Sequence, residues 1–583
     1  MIDDMRVGIM DVNPFCNEYN LRDFRNHFLS SLGPRASLKV YVSALGRLTV
    51  SSRSVRMLQS LEISDPCVET IMATVRGFLN RFDNLGTQMC VFMSEFILIA
   101  SKIDPLTLSP LTRQLHQILN ECLMAYRVNL NVARLPDMMN VVQTTLKAKG
   151  MFPQDRIPGI SLQILKAFLC TVPVVDGVSQ DSSDQSQSDL WRRRILVKSV
   201  HAHTDETHLE IGRYLHAFPE RQDVTNWKAL QNCKILLLNM QLNLTDLRDN
   251  SEFAEIKHEW DHDGEIFRGI LTTKMKELAV MCVKNGIKIV ANQKVVSKAI
   301  QEVFAQNQII VLERLGTEGM NAVQLITQVS NALGSIFIQP EELLGATGWI
   351  GSLAHVRLWR KDYLAFQGRS VDSTQFSTLI LQHWNKESLE DLKVGCEQAL
   401  SSLRLMLSHP FGLPGGGCFE ANVIIRLHSE LALTREDSVA THFLLGFCES
   451  FMRICSALSK KSLDELWVHP KMGHLWLGPK EQHCVCFQMK NATNDPDCIP
   501  LIAYKSDHSS WNKGEPSTPI PCIRTLFKAD SCDATARDPT EEISVRRSAL
   551  PQLIDTWLDK KLMLNTSLEV AENLASIGLV IQT

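Results

Sequence analysis

The chain has 583 residues, of which 45% are hydrophobic and 21% charged, and a formal net charge of −4. That length exceeds one ordinary core and predicts several domains, while the composition is that of a globular protein. The small charge excludes a nucleic-acid-binding field. No apolar run reaches the roughly 18–20 residues that cross a bilayer. The longest, Cys90 to Ala100, is interrupted by Ser94 and Glu95. Asp3 and Asp4 stand where a signal peptide would carry basic residues, and no apolar run follows them. A soluble, non-secreted protein without nucleic-acid or membrane partners is expected. The sixteen cysteines, many in apolar stretches such as those around Cys90, Cys170 and Cys282, read as buried thiols of a reducing compartment.

In chain order, Leu21–Leu32 is amphipathic and stops at Gly33-Pro34. Lys39–Val50 reads as a hairpin with Gly46 near its turn. The apolar-periodic segments Cys67–Phe82, Thr87–Lys102 and Leu111–Val132 predict long helices. Asp176–Leu190 is a polar low-complexity stretch and predicts a surface loop. His201-Ala-His203 with His208 would set two imidazoles on one strand face, but without a third ligand this reads as a solvated edge. Short apolar runs at Cys233–Asn239, Ile287–Ala291, Ile309–Glu313 and Ser335–Ile338 then alternate with helical patterns at Phe267–Lys284, Val295–Ala305 and Met320–Leu333. Such alternation predicts an α/β domain with parallel strands. No G-x-G-x-x-G opens any of these helices, which leaves a dinucleotide site without support.

Beyond about residue 384 the helical period returns, through Leu389, Leu392, Cys396, Ala399, Leu403 and Met406. Pro414-Gly415-Gly416-Gly417-Cys418-Phe419-Glu420 is expected to end that helix, with another beginning near Glu420. A last helix is predicted over Asn565–Ser576, before Gly578–Ile581. Cys484-Val485-Cys486 beside His483 carries metal-ligating residue types but lacks a second cysteine pair at finger spacing, so no metal is expected. Residues 470–545 show no period. The α/β domain is thus inserted into a helical domain built from both ends of the chain.

These features together resemble the group II chaperonins. Ser31-Leu32-Gly33-Pro34-Arg35 is similar to the family's S-L-G-P-R-G, Asn232–Leu237 to N-A-K-I-L-L, and Thr144–Lys149 to T-S-L-S-S-K. Pro414–Glu420 is similar to P-G-G-G-A-x-E, and Thr566–Glu572 with Gly578–Ile581 to the terminal A-x-E-x-A helix and its D-D-I-I strand. Within the family, Gly417-Cys418, Lys471–Trp476 and eroded ATPase motifs most resemble the chaperonin-like McKusick–Kaufman/Bardet–Biedl proteins. The resemblance implies a mixed α and α/β architecture: a discontinuous helical equatorial domain (1–145 and 409–583), a small intermediate domain (146–208, with the 176–190 loop, and 366–408) and an inserted α/β apical domain (209–365).

ATP hydrolysis in this family needs backbone amides around the phosphates, a carboxylate on Mg²⁺ and another that positions water. The matching phosphate-binding positions are Gly33 and Pro34, Gly86 and Thr87, and Gly415, Gly416 and Gly417. The family glycine after the first turn is Ala36. G-D-G-T-T has become Asn84-Leu85-Gly86-Thr87-Gln88, with Leu85 in place of the metal-binding Asp. N-D-G-A-T has become Ser52-Arg53-Ser54-Val55-Arg56, and the family's E-P pair has become Asp555-Thr556. Asp391 matches the family's catalytic Asp, yet with Mg²⁺ ligation lost it reads as an ordinary solvated acid beside Glu390, and Lys149 shares the ambiguity. No ATP turnover, no catalytic residue and no required cofactor are therefore expected. The surviving glycines leave room for ATP without normal Mg²⁺ ligation, with Arg53 and Arg56 neutralising phosphate.

The resemblance implies an assembly factor for the ciliary Bardet–Biedl complex. Its partners would be that complex's subunits, other chaperonin-like Bardet–Biedl proteins and the cytosolic chaperonin, in the cytoplasm and at centrosomes and basal bodies. The competing readings are an ATP-driven folding subunit, which needs the lost motifs, and a metabolic α/β enzyme, for which the inserted domain offers no catalytic constellation.

Overall fold

The computed structural model describes residues 17–34, 36–43, 46, 48–149, 155–172, 194–201, 207–218, 229–242, 264–358, 361–369, 376–434, 438–469, 473–478, 481–487, 498–504 and 552–577. The loop expected at 176–190, His203, Arg35, Lys471, Met472 and the segment Gly578–Ile581 lie outside them. The chain forms two compact units, Met1–Ile164 with Asn385–Thr583, and Leu165–Trp384.

The first unit is built around the helix Gly86–Ala100, which buries thirteen of its fifteen residues. Its sequence is apolar on nearly every side, which suits a helix surrounded by others. Helices Glu18–Leu29, Pro66–Phe82, Val439–Ser459 and Trp557–Ala575 pack on it. Phe92 and Phe96 meet Phe443, Phe447 and Phe451 with ring centroids 5.5–6.2 Å apart. Local signals set the ends of these helices. Asp65 accepts hydrogen bonds from the amides of Cys67 and Val68, with Pro66 in the first turn, and Asp104 with Pro105 starts Pro105–Ala125 in the same way. Glu95, the one acid on the central helix, receives Arg453 at 2.8 and 2.9 Å and the Ser450 hydroxyl at 3.2 Å.

The hairpin Lys39–Val42/Leu48–Ser51 forms as expected. The helix at Lys386–Ser408 also forms, but the strand Phe411–Pro414, and not the glycine run, follows it. That strand lies between Val128–Asn129 and Ile554–Thr556. The last described helix, Trp557–Ala575, starts well before the expected Asn565. Its first turns carry Asp559 and Lys560, both 1% exposed. Lys560 reaches Glu420 and, at 2.8 Å, Gln88, whose amide donates to Glu420 at 2.7 Å.

In the second unit, a six-stranded sheet runs Arg213–Ala217, Lys361–Gln367, Thr347–Leu358, Leu230–Leu238, Ile287–Asn292, Ile310–Leu312. The last three strands are parallel, as expected for them, while the first three, which sequence did not mark, pair antiparallel and make the sheet mixed. Leu236 and Leu238 pack under helices Gly264–Lys284 and Lys298–Gln306, while Ile235 and Leu237 face Met320, Val323 and Ile326 of Gly316–Thr327. With both faces covered, the run Ile235–Leu238 shows no alternation. Ser335–Ile338 is not a strand. Only Leu333 makes a bridge, to Leu238, and Phe337 is 63% exposed just ahead of the helix Pro340–Gly345. Strands Ile195–His201 and Thr207–Ile211 flank Ser377–His383 in a separate sheet, where His208 is spent on Glu210 at 2.8 Å. No helix among the described residues is long and apolar enough to cross a membrane.

Burial pushes the Asp559 carboxyl up to about 7 and that of Asp555 to about 6. An acid whose folded-state pKa is raised adds stability below the ordinary carboxylate range and loses it as pH rises through the folded value. Asp559→Asn should therefore flatten the fall in stability between about pH 4 and 7. Denaturant midpoints measured across that range check this, and equal slopes in both proteins would refute it.

Candidate functional site

In the first unit, the hairpin strand Leu48–Ser51, the turn before Gly86–Ala100 and the helix Lys386–Ser408 bring Arg53, Leu85 and Asp391 into one neighbourhood. Asp391 is not the solvated acid that its sequence surroundings suggest; it is 0% exposed. Arg53, itself 2% exposed, points its Nε at Asp391 Oδ2 from 3.4 Å. The Ser51 hydroxyl donates to Oδ1 of the same carboxylate. Arg56 sits 3.6 Å from that oxygen and pairs with Glu387 at 2.6 Å. Arg53 also donates to Gln398, whose amide donates to the Asp83 carbonyl at 2.7 Å. Both arginines, which sequence offered as phosphate ligands, are thus engaged with acids of one helix. Gly395 makes the arrangement fit: a Cβ there would stand 2.6 Å from Arg53 Nη2.

The turn at 83–86 keeps an unusual shape. Asp83 and Leu85 take φ of 62° and 63°, a left-handed conformation that a leucine adopts at a cost of about 1 kcal/mol or more. Leu85 stands at the N-cap and gives no side-chain hydrogen bond to the helix. Gly86 is fixed by packing, since a Cβ would meet Leu79 Cδ1 and Ser54 Oγ at 2.7 Å. Thr87 is buried. Asn84 ties the turn to Ser402 at 2.8 Å, and Ser402 meets Thr145 at 3.2 Å.

Gly33, at φ +81°, lies against the end of Val439–Ser459, where a Cβ would stand 2.6 Å from the Leu458 carbonyl; Pro34 is exposed. Lys149 is buried and donates to the Ser31 carbonyl, beside this turn. Burial, with Arg53 nearby, pulls its ammonium down to about 7. Gly415 donates to the Leu553 carbonyl at 2.9 Å, and a Cβ on it would lie 3.3 Å from Asp555 Oδ1. Gly416 and Gly417, both at positive φ, press on Val485 and Leu475.

The sequence pointed to Cys484 and Cys486 but not to their companions. They face Cys418 and His474, and His483 is not among the four. Ser51, Glu387, Gly395 and Gln398 were also missed. None forms a motif, and each matters only through what Arg53 and Arg56 touch.

Residues 25–495 match the TCP-1/cpn60 chaperonin family. Molecular chaperone MKKS of Mus musculus is 23% identical over 468 residues, covering 77% of this chain and 78% of that protein. The Homo sapiens protein of that name is 22% identical over 480 residues, or 78% and 80%. T-complex protein 1 subunit beta of Dictyostelium discoideum is 20% identical over 417 residues, or 67% and 70%. The family match runs through the glycine turns, the inserted unit and the helix of Asp391, and the chain belongs to the TCP-1/cpn60 chaperonin family.

Proposed function

We propose that this chain is a chaperonin-like assembly factor that holds its partners without turning over ATP. A chaperone-like role accords with the family and with the relatives named molecular chaperones. The observation that carries the finer reading is the Arg53–Asp391 pair. A carboxylate that positions water must be reachable by water and near the metal. Here the matching carboxylate is enclosed by Arg53, Ser51 and Arg56, and the nearby turn presents Leu85, which offers no ligand to a hard cation. Nucleotide, if bound at Gly33, Gly86, Thr87 and Gly415–Gly417, would be held without normal Mg²⁺ ligation. The proposed task is help in assembling the ciliary Bardet–Biedl complex, with the cytosolic chaperonin and related chaperonin-like proteins, at centrosomes and basal bodies.

Purified full-length chain should release phosphate from Mg²⁺-ATP at the buffer rate, and Asp391→Ala should leave that rate unchanged. Turnover that Asp391→Ala abolishes would instead make the chain an ATP-driven folding subunit. Arg53→Met alone strands a buried carboxylate and should lower stability by about 3–5 kcal/mol. The double variant Arg53→Met/Asp391→Leu should be less destabilised than the two singles summed, by about 1–3 kcal/mol, in denaturant titrations. Size-exclusion chromatography with mass measurement should find a monomer, joining larger complexes only when Bardet–Biedl subunits and cytosolic chaperonin are added. A homo-oligomeric ring, or no association with either, would defeat the assembly reading.

A further inference from the structure

Cys418 opens the helix Cys418–Leu431, directly after the glycine run. His474 follows Gly473, whose φ of +63° turns the chain into the strand Leu475–Trp476. Cys484 and Cys486 flank Val485, which donates its amide hydrogen to the Leu475 carbonyl at 2.7 Å. Three stretches of chain thereby aim one imidazole and three thiols at a single point. Their ligand atoms all lie within 4.8 Å of one another. Cys484 Sγ is 3.4 Å from Cys486 Sγ, which is 3.3 Å from His474 Nδ1. Exposure is 0% for Cys418, 7% for His474, 1% for Cys484 and 0% for Cys486.

Four such groups bound to zinc would stand about 3.5–3.8 Å apart, given Zn–S near 2.3 Å and Zn–N near 2.0–2.1 Å in a tetrahedron. The separations of 3.4 and 3.3 Å fall just short of that spacing, and all four ligand atoms lie within 4.8 Å of one another. The Leu475 amide donates to Cys418 Sγ at 3.5 Å, a contact that supports a thiolate. Three sulfurs and an imidazole select a soft or borderline ion and disfavour Mg²⁺, Ca²⁺ or Mn²⁺. Four protein ligands in a closed, buried shell leave no position for substrate, which is the form of a structural site.

We propose that Cys418, His474, Cys484 and Cys486 bind one zinc ion in a closed tetrahedral site that clips residues 473–478 and 481–487 to the back of the triple glycine. The packing explains why glycines are needed there. A Cβ on Gly416 would stand 2.6 Å from Val485 Cγ1, and one on Gly417 would stand 3.2 Å from Leu475 Cδ2. The glycine run therefore admits the two side chains that lie between the ligands. The site is independent of whether ATP is bound or turned over.

Full-length chain, purified through a tag that needs no metal column, should carry about one zinc per molecule by elemental mass spectrometry, as a Cys₃His site holds one ion. Cys484→Ser/Cys486→Ser should lose at least tenfold of that content, and His483→Ala should keep it. In case the double variant does not fold, the wild-type protein exchanged with Co²⁺ should show the visible bands of tetrahedral, thiolate-ligated cobalt, reversed by added zinc. Folded wild-type protein that carries no zinc, takes up none and gives no such cobalt spectrum would overturn the site. So would a Cys484–Cys486 disulfide found by peptide mass spectrometry in place of metal.

Discussion

Arg53 and Asp391 hold opposite charges 3.4 Å apart with almost no exposure to water, and the surrounding residues are arranged to make that tolerable. Taking both ions out of solvent costs several kcal/mol each, which a single contact does not repay. Ser51 hydrogen-bonds Asp391 Oδ1 and Gln398 accepts from Arg53, Glu387 balances the second arginine, and Gly395 leaves room for the guanidinium, while Arg53 Nε and Asp391 Oδ2 face each other without a hydrogen bond. The pair connects the hairpin to the long helix Lys386–Ser408, and through Gln398 and Asn84 it reaches the left-handed turn at Leu85. Removing either Arg53 or Asp391 alone would leave the other as a buried charge without its partner.

The long helices were legible because their apolar period is local, although the one expected over Leu111–Val132 forms at Pro105–Ala125, with Val128–Asn129 in a strand. Pro66–Phe82 and Gly86–Ala100 fall within a residue or two of where the sequence puts them. The buried strand around Ile235–Leu238 was legible for its apolar run and its parallel pairing, but its antiparallel partner Thr347–Leu358 was not, since β-sheet partners are chosen over long sequence distances. Trp557–Ala575 was read short: its first turns bury the charged Asp559 and Lys560, the latter against Glu420 and Gln88, which an apolar period does not register. Ser335–Ile338 was misread as a strand: Ile336 and Ile338 are half-buried against the core and Phe337 is exposed, an alternation that suggests a strand, but the run pairs in no sheet.

At the site, motif comparison pointed to the glycine turns and to the stretches 52–56 and 84–88, because those signals are consecutive residues. It misjudged Asp391, whose environment is made by a residue far earlier in the chain. It saw half of the thiol cluster, since C-x-C is a local pattern while Cys418 and His474 join it only through the strand Leu475–Trp476. Chemistry assembled across distant segments leaves no period or spacing to read.

The central helix Gly86–Ala100 has a consequence for how the chain is made. Its cover comes from both ends: Glu18–Leu29 and Pro66–Phe82 precede it, while Val439–Ser459 and Trp557–Ala575 follow after the whole second unit. During synthesis an all-round apolar helix emerges early and waits for partners encoded hundreds of residues later. Such non-local closure is slow, and the exposed surface invites aggregation meanwhile. The first unit cannot close until its last helix leaves the ribosome, so for most of its own translation this chaperonin-family chain is itself in need of a holder.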